Sequence, residues 1–299
     1  DDEMGYSFGF DGEQFRSDVD GVMGAEWNAN VQLPTLRAPY PRFLNQLPRE
    51  ERERIERLFD DGFVTVIRLP WESDEIALAV SERLRRDIKP TLLLFMTAIS
   101  QIEVCYPDAG EICLYRDERP AGHPDATEVL LNETKTNADA EDSRWMVIGP
   151  IERELRDSSL VAGLGDAWKD VNRLAFSMAF RLERRSGRME LQDTSQPFFV
   201  YFPTQEYSGL RFAVQADFHV GDDRKTLAPS PLNDWLMEEI CSYIAQDGVA
   251  ILKGCWPHSA EVAELLAPVQ RPEREFPRAF MDRYLGYLSA SSFVPVDGG

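Results

Sequence analysis

Phe212, Val214, Ala216, Phe218 and Val220 alternate with Arg211, Ala213, Gln215, Asp217 and His219. A period of two predicts a strand over residues 211–220 with one apolar face. The polar run Gly221-Asp222-Asp223-Arg224-Lys225 cannot continue that face, so the strand is expected to end there. Ser230 and Pro231 then read as an N-cap and a first helical residue. Leu232, Leu236, Ile240 and Ile244 follow at i, i+4 spacing, widened by Trp235 and Tyr243. That stripe predicts a helix packed back on the sheet. The loop between strand and helix thereby holds Arg224 and Lys225 in a fixed place.

Elsewhere the same patterns predict an edge strand over 4–15 around Tyr6, Phe8 and Phe10, and an irregular stretch over 16–46. A charged helix is expected over 48–61, stopped by Gly62, then a strand over 63–69 ended by Pro70. Ser73 caps a helix through Ile88, and the apolar run 91–100 reads as a short buried helix. Four strands, over 102–106, 111–115, 128–135 and 143–148, form an antiparallel meander separated by polar turns. Trp168, Val171, Ala175, Met178 and Leu182 share a helical face, which predicts an amphipathic helix over 166–182. Residues 198–202 are expected to pair with 211–220 as a hairpin. Beyond the helix lie an apolar run at 249–252 and a helix over 261–266. Phe276, Phe280, Tyr284 and Tyr287, spaced near four, read as a helix that docks in the core or offers a partner surface.

Composition narrows the classes. The chain has 299 residues and 43% apolar content, enough for a packed core. No apolar run reaches the roughly 18 residues of a membrane-crossing helix. No leader segment opens the sequence, and we expect a cytoplasmic protein. The net charge of −20 disfavours nucleic acid as a partner, since phosphate contacts need a basic surface. Arg181, Arg184, Arg185 and Arg188 are the best local basic run, or simply a solvated end. Only five of the 32 basic residues are Lys, as in a GC-rich bacterial genome. Four Cys and three His show no metal-ligand spacing, so no metal is expected. Cys105 and Cys113 face one another across a hairpin on this reading, and reduced core thiols are expected.

Chemistry-bearing motifs are sparse. There is no GxxxxGK[ST] loop, nucleophile elbow or zincin motif. Gly163-Leu164-Gly165 precedes a helical stretch without the rest of a dinucleotide fingerprint and reads as a turn.

The run Val214-Gln215-Ala216-Asp217-Phe218, then Arg224, then Leu232-Asn233 and Leu236, resembles the sacsin-type branch of the Hsp-ninety-like (GHKL) ATP-binding proteins. Phe202-Pro203-Thr204 with Ser208-Gly209-Leu210 is similar to a segment just upstream in that branch. Leu33-Pro34 to Pro39, Thr65 to Pro70, Leu92 to Phe95 and Arg144-Trp145 resemble further pieces of it in order. The resemblance covers about residues 4–265 and is stronger in the second half.

It implies an α+β chain: the closing strands of a Bergerat-type α/β sandwich (1–100), a middle or transducer domain of mixed or antiparallel sheet (101–265), and an aromatic helix with a tail (266–299). The family's magnesium-holding Glu and Asn, its DxGxG and its GxGxxS are missing, so the chain is expected to begin after them. ATP and Mg2+ are then bound largely by residues upstream. In relatives, the loop after the 211–220 strand sends a basic residue to the terminal phosphate. That role falls on Arg224, whose guanidinium fork suits two phosphate oxygens, with Lys225 as the alternative. Asp222 and Asp223 could instead pair with Arg224, or flank a solvated loop. Thr65 matches a strand position that faces adenine, or is an ordinary β-branched residue. Asn233 is expected to support the loop. The family implies an ATP-driven, chaperone-like switch with a protein client and a homodimer. The rival is a non-enzymatic acidic scaffold of a bacterial defence or stress system.

Overall fold

The computed structural model describes residues 8–9, 40–41, 47–67, 73–106, 110–136, 140–182, 190–255 and 259–291. The chain divides into two compact units, residues 1–77 and 78–299. In the first, β1 (Phe8–Gly9) pairs antiparallel with β2 (Tyr40–Pro41), and α1 spans Arg49–Asp60. Gly62, at φ 96°, stops α1 as expected, with Phe63 N–H donating to Leu58 O at 3.0 Å. Helix α2 (Asp74–Asp87) begins with Ser73 Oγ accepting from Ile76 N–H at 3.3 Å.

The predicted strand over 63–69 is not seen in its described part. Residues 63–67 join no sheet, and Val64 and Ile67 are 93% and 80% exposed. β-branched residues alone do not make a strand without a neighbour to take up their backbone groups. Arg68, Pro70, Leu33 to Pro39 and Arg184 to Arg188 fall outside the described residues.

The second unit is built on an eight-stranded sheet in the order β3-β4-β5-β6-β7-β10-β8-β9. Its strands are β3 (Gln101–Tyr106), β4 (Gly110–Pro120), β5 (Ala126–Lys135), β6 (Glu141–Glu154), β7 (Arg173–Leu182), β8 (Pro197–Val200), β9 (Phe202–Tyr207) and β10 (Ala213–Ala216). β3 to β6 form the expected meander; β4 and β6 are longer at both ends than the apolar alternation alone predicts, and β3 and β5 at their N-terminal ends. Every pairing is antiparallel except that of β10 with β8.

Three expectations fail here. Residues 173–182 are a strand rather than part of a helix. Leu174, Phe176, Met178, Phe180 and Leu182 alternate as a buried face, and that period-two pattern outcompetes the helical stripe, whose members Met178 and Leu182 belong to both. Only Asp166–Trp168 keeps a single helical turn. The hairpin of 198–202 with 211–220 is also replaced. β8 turns back into β9, and β10 inserts between β7 and β8. The run 91–100 likewise forms only a 3-10 turn at Pro90–Leu93, yet buries Leu93, Leu94, Phe95 and Met96 as expected of a core segment.

One face of the sheet carries helices α3 (Pro231–Tyr243), α4 (Val249–Cys255), α5 (Ser259–Leu266) and α6 (Glu275–Ala290), with a π turn at Ile244–Gly248 joining α3 to α4. Their apolar residues meet Phe176, Phe180, Phe198, Phe212, Val214 and Phe218 in the larger core. The aromatic helix α6 docks there. Phe198 lies edge-on to Phe218, Phe276 and Phe280 at 5.7, 5.7 and 5.0 Å. The Tyr284 hydroxyl donates to Leu266 O at 2.7 Å. The other face packs Leu93 to Met96 on Leu114, Val129, Leu131, Ala179, Phe199 and Ala213. Because Phe198 is fully buried among three rings, Phe198→Ala is expected to cost about 3–5 kcal/mol in urea unfolding. A loss under about 1 kcal/mol would contradict this packing.

Candidate functional site

Strand β10 ends at Ala216, and the chain then makes a hairpin over 217–228. Asp217 closes the strand end. Its N–H donates to Ala175 O at 3.1 Å, and its Oδ2 accepts from Ala175 N–H at 2.8 Å. Burial raises the Asp217 carboxyl above its ordinary range, opposed by that backbone bond. Its neighbour on the sheet is Tyr201, at φ 59°, directly after the parallel partner strand β8. Gln215 Oε1 accepts from Tyr201 N–H at 2.7 Å and holds that turn. Gln215 and Asp217 thus lock the carboxyl ends of β8 and β10. The sequence shows both only as polar positions on a strand; their partner Tyr201 follows from the parallel pairing.

The hairpin that follows is tight. Ala228 N–H donates to His219 O at 3.0 Å, Gly221 N–H to Thr226 O at 2.9 Å, and Arg224 N–H to Gly221 O at 2.8 Å. Asp223 does not pair with Arg224. Its Oδ1 accepts from Lys225 N–H at 2.9 Å, Thr226 N–H at 3.1 Å and Thr226 Oγ1 at 3.0 Å. Those bonds, led by that of Lys225 N–H, hold its carboxyl below the ordinary range. Arg224 sits at the tip with φ 54°, in the left-handed region. For a residue with a Cβ this costs about 1 kcal/mol. Its side chain is exposed, and among the described residues it forms no ion pair. Lys225 lies beside it, also exposed, and its carbonyl accepts from Gln205 N–H at 2.7 Å on the edge strand β9. Thr65 is exposed and belongs to the first unit.

Asn233 supports the loop as its position led us to expect. Fully buried in the first turn of α3, it accepts from His219 N–H at 2.8 Å. It donates to His219 O and Ala228 O, each at 2.7 Å. Ser230 Oγ in turn caps α3 by accepting from Asn233 N–H at 3.2 Å. One amide therefore ties both strands of the hairpin to the start of a core helix.

Glu206 on β9 braces the same region. It is buried, its carboxylate lies 3.7 Å from Arg274, and its Oε2 has no hydrogen-bond partner. Burial pushes this carboxyl above its ordinary value, partly offset by Arg274 and by Leu227 N–H. Nearby, Gln205, Tyr207, Arg271 and Arg274 line an open pocket of about 220 Å3. Gly163-Leu164-Gly165 lies in a turn before the 3-10 turn at Asp166–Trp168.

No protein-family model, curated protein or solved structure matches the chain.

Two outcomes test this geometry. Asn233→Ala removes the partner of His219 N–H and of Ala228 O, and one of the two donors to His219 O, and is expected to cost about 1–3 kcal/mol. Hydrogen exchange at the His219 amide should accelerate, and unchanged exchange there would contradict the clamp. For Glu206, a folded-state pKa above the unfolded one means that its stabilising share is present at low pH and lost as pH rises through the folded value. Glu206→Gln, which keeps an acceptor for Leu227 N–H, should therefore be more stable than the parent at neutral pH. The difference should vanish below the ordinary glutamate value of 4.5. A Gln variant less stable at pH 7 would overturn that assignment.

Proposed function

We propose that this chain is the transducing part of an ATP-dependent, chaperone-like conformational switch of the GHKL type, in which Arg224 reads the γ-phosphate. One observation supports this reading above the rest. An arginine occupies a left-handed turn tip where Gly or Asn would cost less, and its guanidinium forms no ion pair among the described residues, while the hairpin that carries it is tied by Asp223, Gln205 and Asn233. Strain of this kind is kept where the surrounding structure over-determines it, and it favours a functional role over a solvated loop. A guanidinium held there offsets phosphate charge in a transition state and distinguishes a triphosphate from a diphosphate.

In this proposal most of the contacts to the nucleotide and its Mg2+ come from outside the Arg224 hairpin. Lys225 adds a second positive charge beside Arg224. Closure around ATP moves the Arg224 hairpin as a unit with α3. A protein client and a homodimer complete the scheme. The 299 residues alone hydrolyse no ATP on this account.

A second reading, an acidic protein-binding scaffold, draws on the net charge of −20 and on Tyr201, Phe202 and Tyr207, each more than half exposed at the β9 edge. The deciding experiment expresses the chain with the residues its gene encodes ahead of Asp1 and compares ATP hydrolysis of the parent and Arg224→Ala. A fall of ten-fold or more, about 1.4 kcal/mol of barrier, with ATP binding kept, is expected. Hydrolysis unchanged by the substitution removes Arg224 from the mechanism. Hydrolysis absent from both favours the scaffold.

A further inference from the structure

The β3–β4 hairpin has one face in the smaller core, through Ile102, Val104, Tyr106, Ile112 and Leu114. Its other face carries Glu103, Cys105, Glu111 and Cys113. The register sets Glu103 opposite Cys113, and Cys105 opposite Glu111. One carboxylate oxygen from each of Glu103 and Glu111 and the Cys113 sulfur all lie within 4.8 Å of one another. Cys105 Sγ is 3.7 Å from Glu111 Oε1. The cysteines are thus not both core thiols, since Cys105 is exposed and Cys113 half-buried.

This arrangement is unfavourable as it stands. Cysteine is among the most buried residue types, yet two share a solvent face here. Two carboxylates converge with them, and among the described residues neither Glu103 nor Glu111 forms an ion pair with Arg or Lys. Partial desolvation and then the Glu111 carboxylate raise the Cys105 thiol. A hydrogen bond with Cys113 leads the upward shift of the Tyr115 hydroxyl on the same face. A cation among these atoms would offset the charge of the two converging carboxylates. A disulfide fits less well, because the two cysteines are diagonal rather than opposite. Diagonal neighbours lie about 7–8 Å apart at Cα, against a disulfide's usual spacing of roughly 5.5–6 Å.

We propose that Glu103, Cys105, Glu111 and Cys113 form a binding site for a divalent zinc ion that staples the edge hairpin β3–β4. The donor set selects the metal. Two thiolates are too soft for Mg2+ or Ca2+, which take six or more oxygens, and two carboxylates are too hard for a copper(I) site. Tetrahedral zinc, with bonds of about 2.0–2.3 Å, places its ligand atoms roughly 3.4–3.8 Å apart. Glu103, Glu111 and Cys113 already hold ligand atoms within 4.8 Å of one another, and Cys105 Sγ lies 3.7 Å from Glu111 Oε1, so coordination requires these four side chains to draw closer. On binding, each thiol gives up its proton to solvent, so affinity falls as pH falls. Spacing along the sequence hides the site, because its ligands alternate on two strands and half of them are glutamates. This inference is independent of the role of Arg224.

The test titrates zinc chloride into the chelator-treated, reduced 299-residue chain, using calorimetry and thermal unfolding. One Zn2+ per chain and a higher unfolding midpoint are expected. Cys113→Ser and Glu111→Gln should each weaken binding at least ten-fold, and Cys105→Ser gives an independent reading should either variant fold poorly. Cys255→Ser, remote on α4, should bind as the parent does. Cobalt chloride in place of zinc should give a sulfur-to-cobalt charge-transfer band that Cys113→Ser weakens. Absence of stoichiometric binding by the parent, or equal binding by parent, Cys113→Ser and Glu111→Gln, would overturn the proposal.

Discussion

The burial of β10 on both faces is the constraint on which the second unit depends. All four of its residues are buried, and it is hydrogen-bonded to β7 on one side and β8 on the other. Val214 and Ala216 face the helices, while Ala213 faces the opposite core. A strand held from four directions leaves the sheet in one direction only. Asp217 clips that exit to Ala175, and Asn233 clips the following hairpin to α3. The position of Arg224 follows from this chain of contacts rather than from anything Arg224 itself touches.

Backbone strain is concentrated in the same place. Among the described residues, Tyr201 and Arg224 are the non-glycine residues with positive φ. Tyr201 directly follows β8, and Arg224 tips the hairpin that follows β10, the two parallel strands of the sheet. In open sheets the carboxyl ends of parallel strands are where ligands are usually bound. Two carboxylates gather nearby, the buried Glu206 and the half-buried Asp217, both pushed above their ordinary range by desolvation. Asp217 accepts from Ala175 N–H and from the Tyr201 hydroxyl, while one oxygen of Glu206 has no hydrogen-bond partner.

Much of this region is legible in the sequence, because its signals are local. Ser230-Pro231 fixes the start of α3, and the Leu232, Leu236, Ile240 stripe fixes its buried face. The strand itself, expected over 211–220, spans only Ala213–Ala216, because Asp217 turns to bond Ala175 before the polar run is reached. The meander is legible for the same reason. What fails is non-local or two-valued. Residues 173–182 satisfy a helical stripe and a strand alternation together, and only the sheet decides between them. The insertion of β10 between β7 and β8 has no signature in either strand, so β9 and the Tyr201 turn go unpredicted. Asp223 looks like a partner for Arg224, but an aspartate at a turn reaches its own backbone first. The cysteine and glutamate face of β3–β4 depends on cross-strand register, which spacing along one chain does not report.

The central claim is that Arg224 is presented by a rigid hairpin rather than by a mobile loop. Backbone amide relaxation across residues 219–228 tests this directly. Order parameters near about 0.85, matching those of β7 and β10, are the expected result. Values below about 0.6 at Asp223, Arg224 and Lys225 would contradict the account.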